Sequence, residues 1–245
     1  MKKLVISLDM ETNNHNKPRL DIGGNVEIGV LKTALLEIGF IVYEQEIQNG
    51  KVTLTEVLRH QSYIYNPAPA VWVEAPPIVL ELHTKSGFKP LYDQFVKDCE
   101  YNSVAKNTYS EQVVDEYAAA ILEDLLRTKY PKLFDRALYE SGNLHALTVV
   151  GKNVQFDIGF MNTRLPRTAM FFNYQVIDVS MMRNMLRSLG NDKLKGISKT
   201  KSTHFAIDDC ESATADYKAT LEVFLEKFPD TVEYFQQYKQ NQEPL

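Results

Sequence analysis

The stretch Lys3-Leu4-Val5-Ile6-Ser7-Leu8-Asp9-Met10-Glu11-Thr12 decides how the chain is read. Leu4, Val5, Ile6 and Leu8 form a short apolar run, which predicts a buried strand over residues 3–12. Asp9 and Glu11 stand at its end. Residues i and i+2 of a strand point to the same side, so the two carboxylates share a face. They repel each other unless something positive lies between them. Oxygen donors of this kind suit magnesium or manganese. Two solvated acids beyond the end of a strand would look the same in sequence, so the pair alone leaves both readings open.

The rest of the composition sets limits on that reading. The chain has 245 residues, 44% of them hydrophobic, which suffices for one sizeable core. A charged fraction of 24% without low-complexity tracts argues against disorder. The net charge of −5 does not announce a protein that grips long nucleic acid by its backbone. A carboxylate-rich metal site would itself lower the net charge. Cys99 and Cys210 have neither metal-ligand spacing nor the look of a disulfide framework, so a reducing compartment is expected. The apolar run that ends at Asp9 is too short for the core of a signal peptide, and no stretch reaches membrane-spanning length. The expectation is a cytoplasmic protein without a membrane segment: one domain over residues 1–245, with less readable insertions at about 13–30 and 60–105.

Outward from the first strand, Asn and Gly predict a loop over 13–30. Strands follow over 33–45 and 51–57, joined by a hairpin turn at Gln48-Asn49-Gly50-Lys51. Prolines 67, 69, 76 and 77 break the next region, leaving room for short helices near 78–84 and 90–99. Apolar spacing predicts a helix over 110–129 with Ser110 as its N-cap. A strand at 146–150, a turn at 151–153 and a helix at 154–164 come next. A strand end at 176–178 leads into a helix over 179–189. The lysine-bearing segment 190–203 precedes helices over 208–227 and 230–240. Early strands followed by strand–helix alternation give a mixed sheet flanked by helices.

Three more residues fall at element ends. Asp157 lies on the first turn of a helix, where a carboxylate can simply serve the helix dipole. His204 ends the lysine-bearing loop and Asp209 starts a helix. Histidine side chains titrate near working pH and suit a general base beside an activated water. A surface histidine near a helix-start aspartate is also common. Lys201 is the lysine expected to contact a phosphate backbone. Phe156 and Phe160 read as core, and Trp72 and Tyr65 as packing or base-stacking residues. Of the remaining histidines, His83 stands out only faintly. Asp208 and Glu211 read as helix-start charges, and Asp178 as a helix cap.

Together these residues resemble the motifs of the DEDDh exonucleases, the ribonuclease T or DnaQ-like group that includes oligoribonucleases. Leu8-Asp9-Met10-Glu11-Thr12 resembles the first motif of that group. Gly151-Lys152-Asn153-Val154-Gln155-Phe156-Asp157 resembles motif two, and His204-Phe205-Ala206-Ile207-Asp208-Asp209 resembles motif three. Tyr174-Gln175-Val176-Ile177-Asp178-Val179-Ser180 and, faintly, His83-Thr84-Lys85-Ser86-Gly87-Phe88 resemble oligoribonuclease segments. Motif two is closer to that of proofreading subunits. Asn13 and Lys152 depart from the pattern, which bears on substrate preference more than on chemistry.

The resemblance implies a ribonuclease-H-like α/β fold with a mixed sheet of about five strands, an ordinary sheet size. It implies two divalent ions, Mg2+ or Mn2+, held by Asp9, Glu11, Asp157 and Asp209, with His204 as general base. Met10, Thr12, Asn153 and Lys201 are the expected substrate contacts. The expected activity is metal-dependent 3′→5′ hydrolysis of single-stranded DNA or RNA to nucleoside 5′-monophosphates. An oligoribonuclease-like enzyme restricted to very short RNA is the alternative within enzymes. A non-catalytic nucleic-acid-binding or replication-accessory module is the alternative of another class. Relatives are often homodimers, so a homodimer is expected.

Overall fold

The computed structural model describes residues 2–13, 19–20, 26–27, 33–66, 70–73, 75–134, 146–188, 190 and 203–229. The stretch that carries Asp9 and Glu11 forms the central strand, β1 (Lys2–Thr12). It is central because both of its neighbours are apolar enough to bury it. Leu4, Val5, Ile6 and Leu8 are all buried. A short antiparallel ribbon, β2 (Arg19–Leu20) with β3 (Val26–Glu27), lies in the region expected to be a loop.

β1 pairs antiparallel with β4 (Leu35–Gln48), and β4 pairs antiparallel with β5 (Lys51–Tyr63). Asn49 and Gly50 join the hairpin with φ of 51° and 74°. Two central residues at positive φ match the twist of the flanking strands. On its other side β1 pairs parallel with β6 (Leu147–Gly151), which pairs parallel with β7 (Phe172–Asp178). The order β5-β4-β1-β6-β7 is the mixed five-stranded sheet of a ribonuclease-H-like fold.

Helices cover both faces. In chain order they are α1 (Ala70–Val73), α2 (Pro77–Ser86), α3 (Phe88–Tyr101), α4 (Ser103–Thr108), α5 (Glu111–Lys129), α6 (Gln155–Arg164), α7 (Pro166–Ala169), α8 (Val179–Ser188) and α9 (Ala206–Lys227). The period-2 alternation of β1 divides the core. Leu4, Ile6, Leu8 and Met10 pack with Leu122, Leu126, Phe160 and Met161 of α5 and α6. Val5 packs with Ile207, Cys210 and Tyr217 of α9. Burying a side chain such as Ile6 is worth roughly 1.5–3 kcal/mol, so the face toward α9 is fixed by the same pattern that fixes the core.

β5 is longer than the expected 51–57. Its outer half reads as polar because it is the sheet edge, where Arg59 pairs with Glu56 and Glu211. Beyond β5, which runs on to Tyr63, the described residues of the 60–105 region lie mostly in α1, α2, α3 and the start of α4, with an aromatic core of their own around Trp72, Phe88 and Tyr92. Local sequence obscures this because Pro76 and Pro77 start α2 rather than break it. Ser110 precedes α5, yet its hydroxyl donates to the Asn107 carbonyl instead of capping. The terminal helix expected over 230–240 lies outside the described residues.

Asn13 explains one departure. Its Oδ1 accepts from Ala34 N, its N donates to Ala34 O, and its Nδ2 donates to Val71 O at 2.7 Å. One buried side chain thus joins the end of β1 to the start of β4 and to α1.

Candidate active site

The odd positions of β1 that carry Val5 toward α9 also carry Asp9 and Glu11 toward it. A bulge between Glu11 and Thr12 ends the regular pairing with β4, a place where sheets re-aim side chains. From the other side, the turn after β6 delivers Asp157 on the first turn of α6, buried and beside Met10. His204 and Asp209 come from the N-terminal end of α9. All five residues line one cleft of about 390 Å³. Side-chain ligand atoms of Glu11, His204 and Asp209 lie within 4.8 Å of one another.

The electrostatics follow from crowding acids into a buried place. Burial pushes the Asp9 carboxyl well above the usual range, and the charges of Asp157, Glu11, Asp209 and Glu37 push it further. Glu11 is raised by burial and then by Asp209, Glu37 and Asp157. Asp157 is raised by burial, against the pull of backbone N–H donors from itself and Met10. Neither solvated acids nor a simple helix-dipole partner, the two plainer possibilities open from sequence, would have such environments. A divalent cation would remove both the repulsion and the burial penalty. Carboxylate oxygens with one imidazole fit a divalent cation, and the ligand atoms of Glu11, His204 and Asp209 lie close enough together to share one.

His204 has φ of 55°, a left-handed backbone that costs a non-glycine residue energy. The geometry turns its ring into the cleft, edge-on to His83 at 5.9 Å between centroids. In sequence His83 has no partner and stands out only by the faint resemblance of residues 83–88 to an oligoribonuclease segment. In the structure it is buried on α2, its Nε2 donates to the Thr12 carbonyl at 2.9 Å, and Nδ1 lies 3.8 Å from Glu11 Oε2. The aromatic rings of Trp72 and Phe88 hold it in place.

Lys152, the other departure, lines the cleft and reaches α9. Its Nζ donates to Ser212 Oγ at 2.7 Å and pairs with Asp216 at 3.1 Å. Asp216 also accepts from Arg183 of α8 at 3.0 Å. This network ties the turn before Asp157 to the helix that carries Asp209.

Met10, Thr12 and Asn153 line the cleft, while Lys201 lies outside the described residues. Phe160 is core as expected. Phe156 is half-buried: it packs against that core and against Phe160 as expected, and it also lines the cleft. Val79 and Leu82 of α2 add apolar surface to the same cleft. Trp72 is buried, its Nε1 donating to Asp93, and Tyr65 lies under Lys106, so both are packing residues. Asp178 caps α8 by accepting from Met181 N. Asp208 accepts from Thr203 Oγ1 at the surface, as a helix-start charge should.

No protein-family model matches the chain. Part of it is similar to known proteins. It is 33% identical over 70 residues to the oligoribonuclease of Vibrio vulnificus (strain CMCP6), across 29% of this chain and 38% of that protein. It is 32% identical over 77 residues to the oligoribonuclease of Pasteurella multocida (strain Pm70), across 31% and 41%. It is 34% identical over 68 residues to the oligoribonuclease of Vibrio cholerae serotype O1 (strain ATCC 39315 / El Tor Inaba N16961), across 28% and 37%. The chain spans about two fifths of the length of the curated relatives it matches. Over that part, the likeness supports kinship with the DnaQ-like 3′→5′ exonucleases.

Proposed function

We propose that the chain is a divalent-cation-dependent 3′→5′ exonuclease that removes nucleoside 5′-monophosphates from short single-stranded oligonucleotides. The observation that carries the reading is the meeting of Asp9, Glu11, Asp157, His204 and Asp209 in one cleft. Asp9, Glu11, Asp157 and Asp209 would hold two Mg2+ or Mn2+ ions, which stabilise the attacking and leaving oxygens of an in-line displacement at phosphorus. His204, whose ring nitrogen lies within 4.8 Å of carboxylate oxygens of Glu11 and Asp209, accepts the proton of the attacking water. Val79, Leu82 and Phe156, which line the cleft, exclude water and offer apolar faces to a base. Asn153 and Lys152 stand at the rim, where a phosphate would pass.

A narrower activity, on very short RNA alone, is favoured by two observations. The similar proteins are oligoribonucleases. The cleft of about 390 Å³ is at the small end of small-molecule sites, roughly 300–1,000 Å³, which suits a terminal nucleotide and little more. No helix among the described residues is long and apolar enough to cross a membrane. We read the chain as one catalytic domain that works as a homodimer in the cytoplasm.

The test is a panel of 5′-labelled single-stranded DNA and RNA of varied length, with Mg2+ or Mn2+ and with chelator. Stepwise shortening from the 3′ end, lost with chelator, supports the proposal. Dimers cleaved much faster than longer strands select the narrower activity. A folded protein that degrades none of these substrates overturns both.

A further inference from the structure

Glu37 is a fully buried carboxylate outside the sequence motifs. It lies on β4 in register with Glu11 on β1, so both strands present an acid at the same level of the sheet. Both of its oxygens are used. Oε1 accepts from Gln61 Nε2 at 2.7 Å, and Oε2 accepts from Ala206 N at 2.8 Å. Ala206 is the first residue of α9, two residues after His204 and three before Asp209.

The first N–H groups of a helix have no partner within it and carry its positive end. Phe205, at the N-cap position, makes no side-chain cap. The cap comes instead from another strand, 169 residues away in sequence. Neighbouring contacts repeat the pattern. Ser7 Oγ donates to the Cys210 carbonyl at 2.9 Å, and Gly39 leaves room for the main chain of Ala206 and Ile207. The start of α9 is therefore fixed to β1 and β4 by contacts that themselves touch no substrate.

We infer that Glu37 is a positioning residue for the cation site: by capping α9 from β4, it sets where His204 and Asp209 stand relative to Asp9 and Glu11. This rests on the function proposed above. Outer contacts that orient metal ligands are worth tens-fold in affinity in other metal sites. Here the oriented unit is a main-chain segment carrying two cleft residues, so a loosened cap moves both at once.

The test is titration of the whole chain with MnCl2 by isothermal calorimetry, without substrate, at a temperature where circular dichroism shows every variant folded. Glu37→Ala is expected to weaken Mn2+ binding by about 10-fold or more. Glu37→Gln keeps an acceptor for Ala206 N and is expected to restore binding to within a few-fold of wild type. The control is Tyr217→Phe, which removes a buried bond from Tyr217 Oη to Gln45 on the same helix and strand, away from the cleft. Overturning results are wild-type affinity in Glu37→Ala, a Glu37→Gln loss as large as that of Glu37→Ala, or an equal loss in Tyr217→Phe. A wild-type chain that binds no Mn2+ overturns the proposed function, and this inference with it.

Discussion

Gly39 of β4 and Ala206 of α9 meet main chain to main chain: a Cβ on Gly39 would lie 2.8 Å from the Ala206 carbonyl carbon and 2.8 Å from Ile207 N. No side chain could swing aside to make room. Gly39→Ala should therefore push the start of α9 off the sheet. Overpacking of this kind costs typically 1–3 kcal/mol. Urea melts should show a loss of about that size, and nuclease turnover should fall more steeply than stability explains, because His204 and Asp209 move with the helix. Wild-type stability and turnover in this variant would refute the account of the contact.

Asp157→Asn separates chemistry from fold. Burial already disfavours the ionised form of Asp157, so an amide of the same shape removes a costly charge. The variant should melt at a temperature equal to or above wild type in chelator, while losing nuclease activity by orders of magnitude. A folded variant with near-normal turnover would remove Asp157 from the catalytic set.

The acid cluster links stability to pH and to cation. Asp9, Glu11 and Asp157 all hold protons more tightly in the folded chain than their usual values allow. Such groups bind more protons folded than unfolded between the two pKa values. The contribution of these three groups to the stability of the cation-free chain is thus fully present below the usual carboxylate range and is lost as pH rises through and above it. Bound Mg2+ or Mn2+ favours the ionised form and offsets the decline. The gain in melting temperature on adding cation should be larger at pH 8 than at pH 5. An equal gain at both values contradicts this electrostatic account.

His60 gives the opposite linkage. It is buried between Phe40 and Tyr117, and its Nε2 has no hydrogen-bond partner among the described residues. Burial lowers its pKa from 6.5 to about 4. A lowered value means that the unfolded chain takes up the proton first as pH falls below the usual histidine value, so stability is lost toward acid. His60→Leu should remove that loss. Its melting temperature relative to wild type should rise from pH 7 to pH 5, and a difference independent of pH would count against the assignment.

Much of the candidate site is legible in Asp9, Glu11, Asp157, His204 and Asp209, because each sits at an element end that local sequence can locate. Phe156 reads as core because helical spacing reports which face is apolar, and it does not report where that face opens onto a cleft. The partner of His83 is unreadable for a related reason. Its Thr12 partner is 71 residues away, and nothing in its own helix signals that contact. Part of the region 60–105 looks broken because Pro76 and Pro77 read as breakers, whereas they start α2.

Sequence by itself determined the central strand, the long helices and the chemical types that meet at their ends, since periodicity and charge are local properties. Tertiary structure alone decided that Glu37 caps α9, that Gly39 admits its backbone and that Lys152 joins Asp216. Those contacts arise only when residues far apart in the chain are packed to fixed distances, and hydrogen bonds and steric contacts depend on distances that no local pattern encodes.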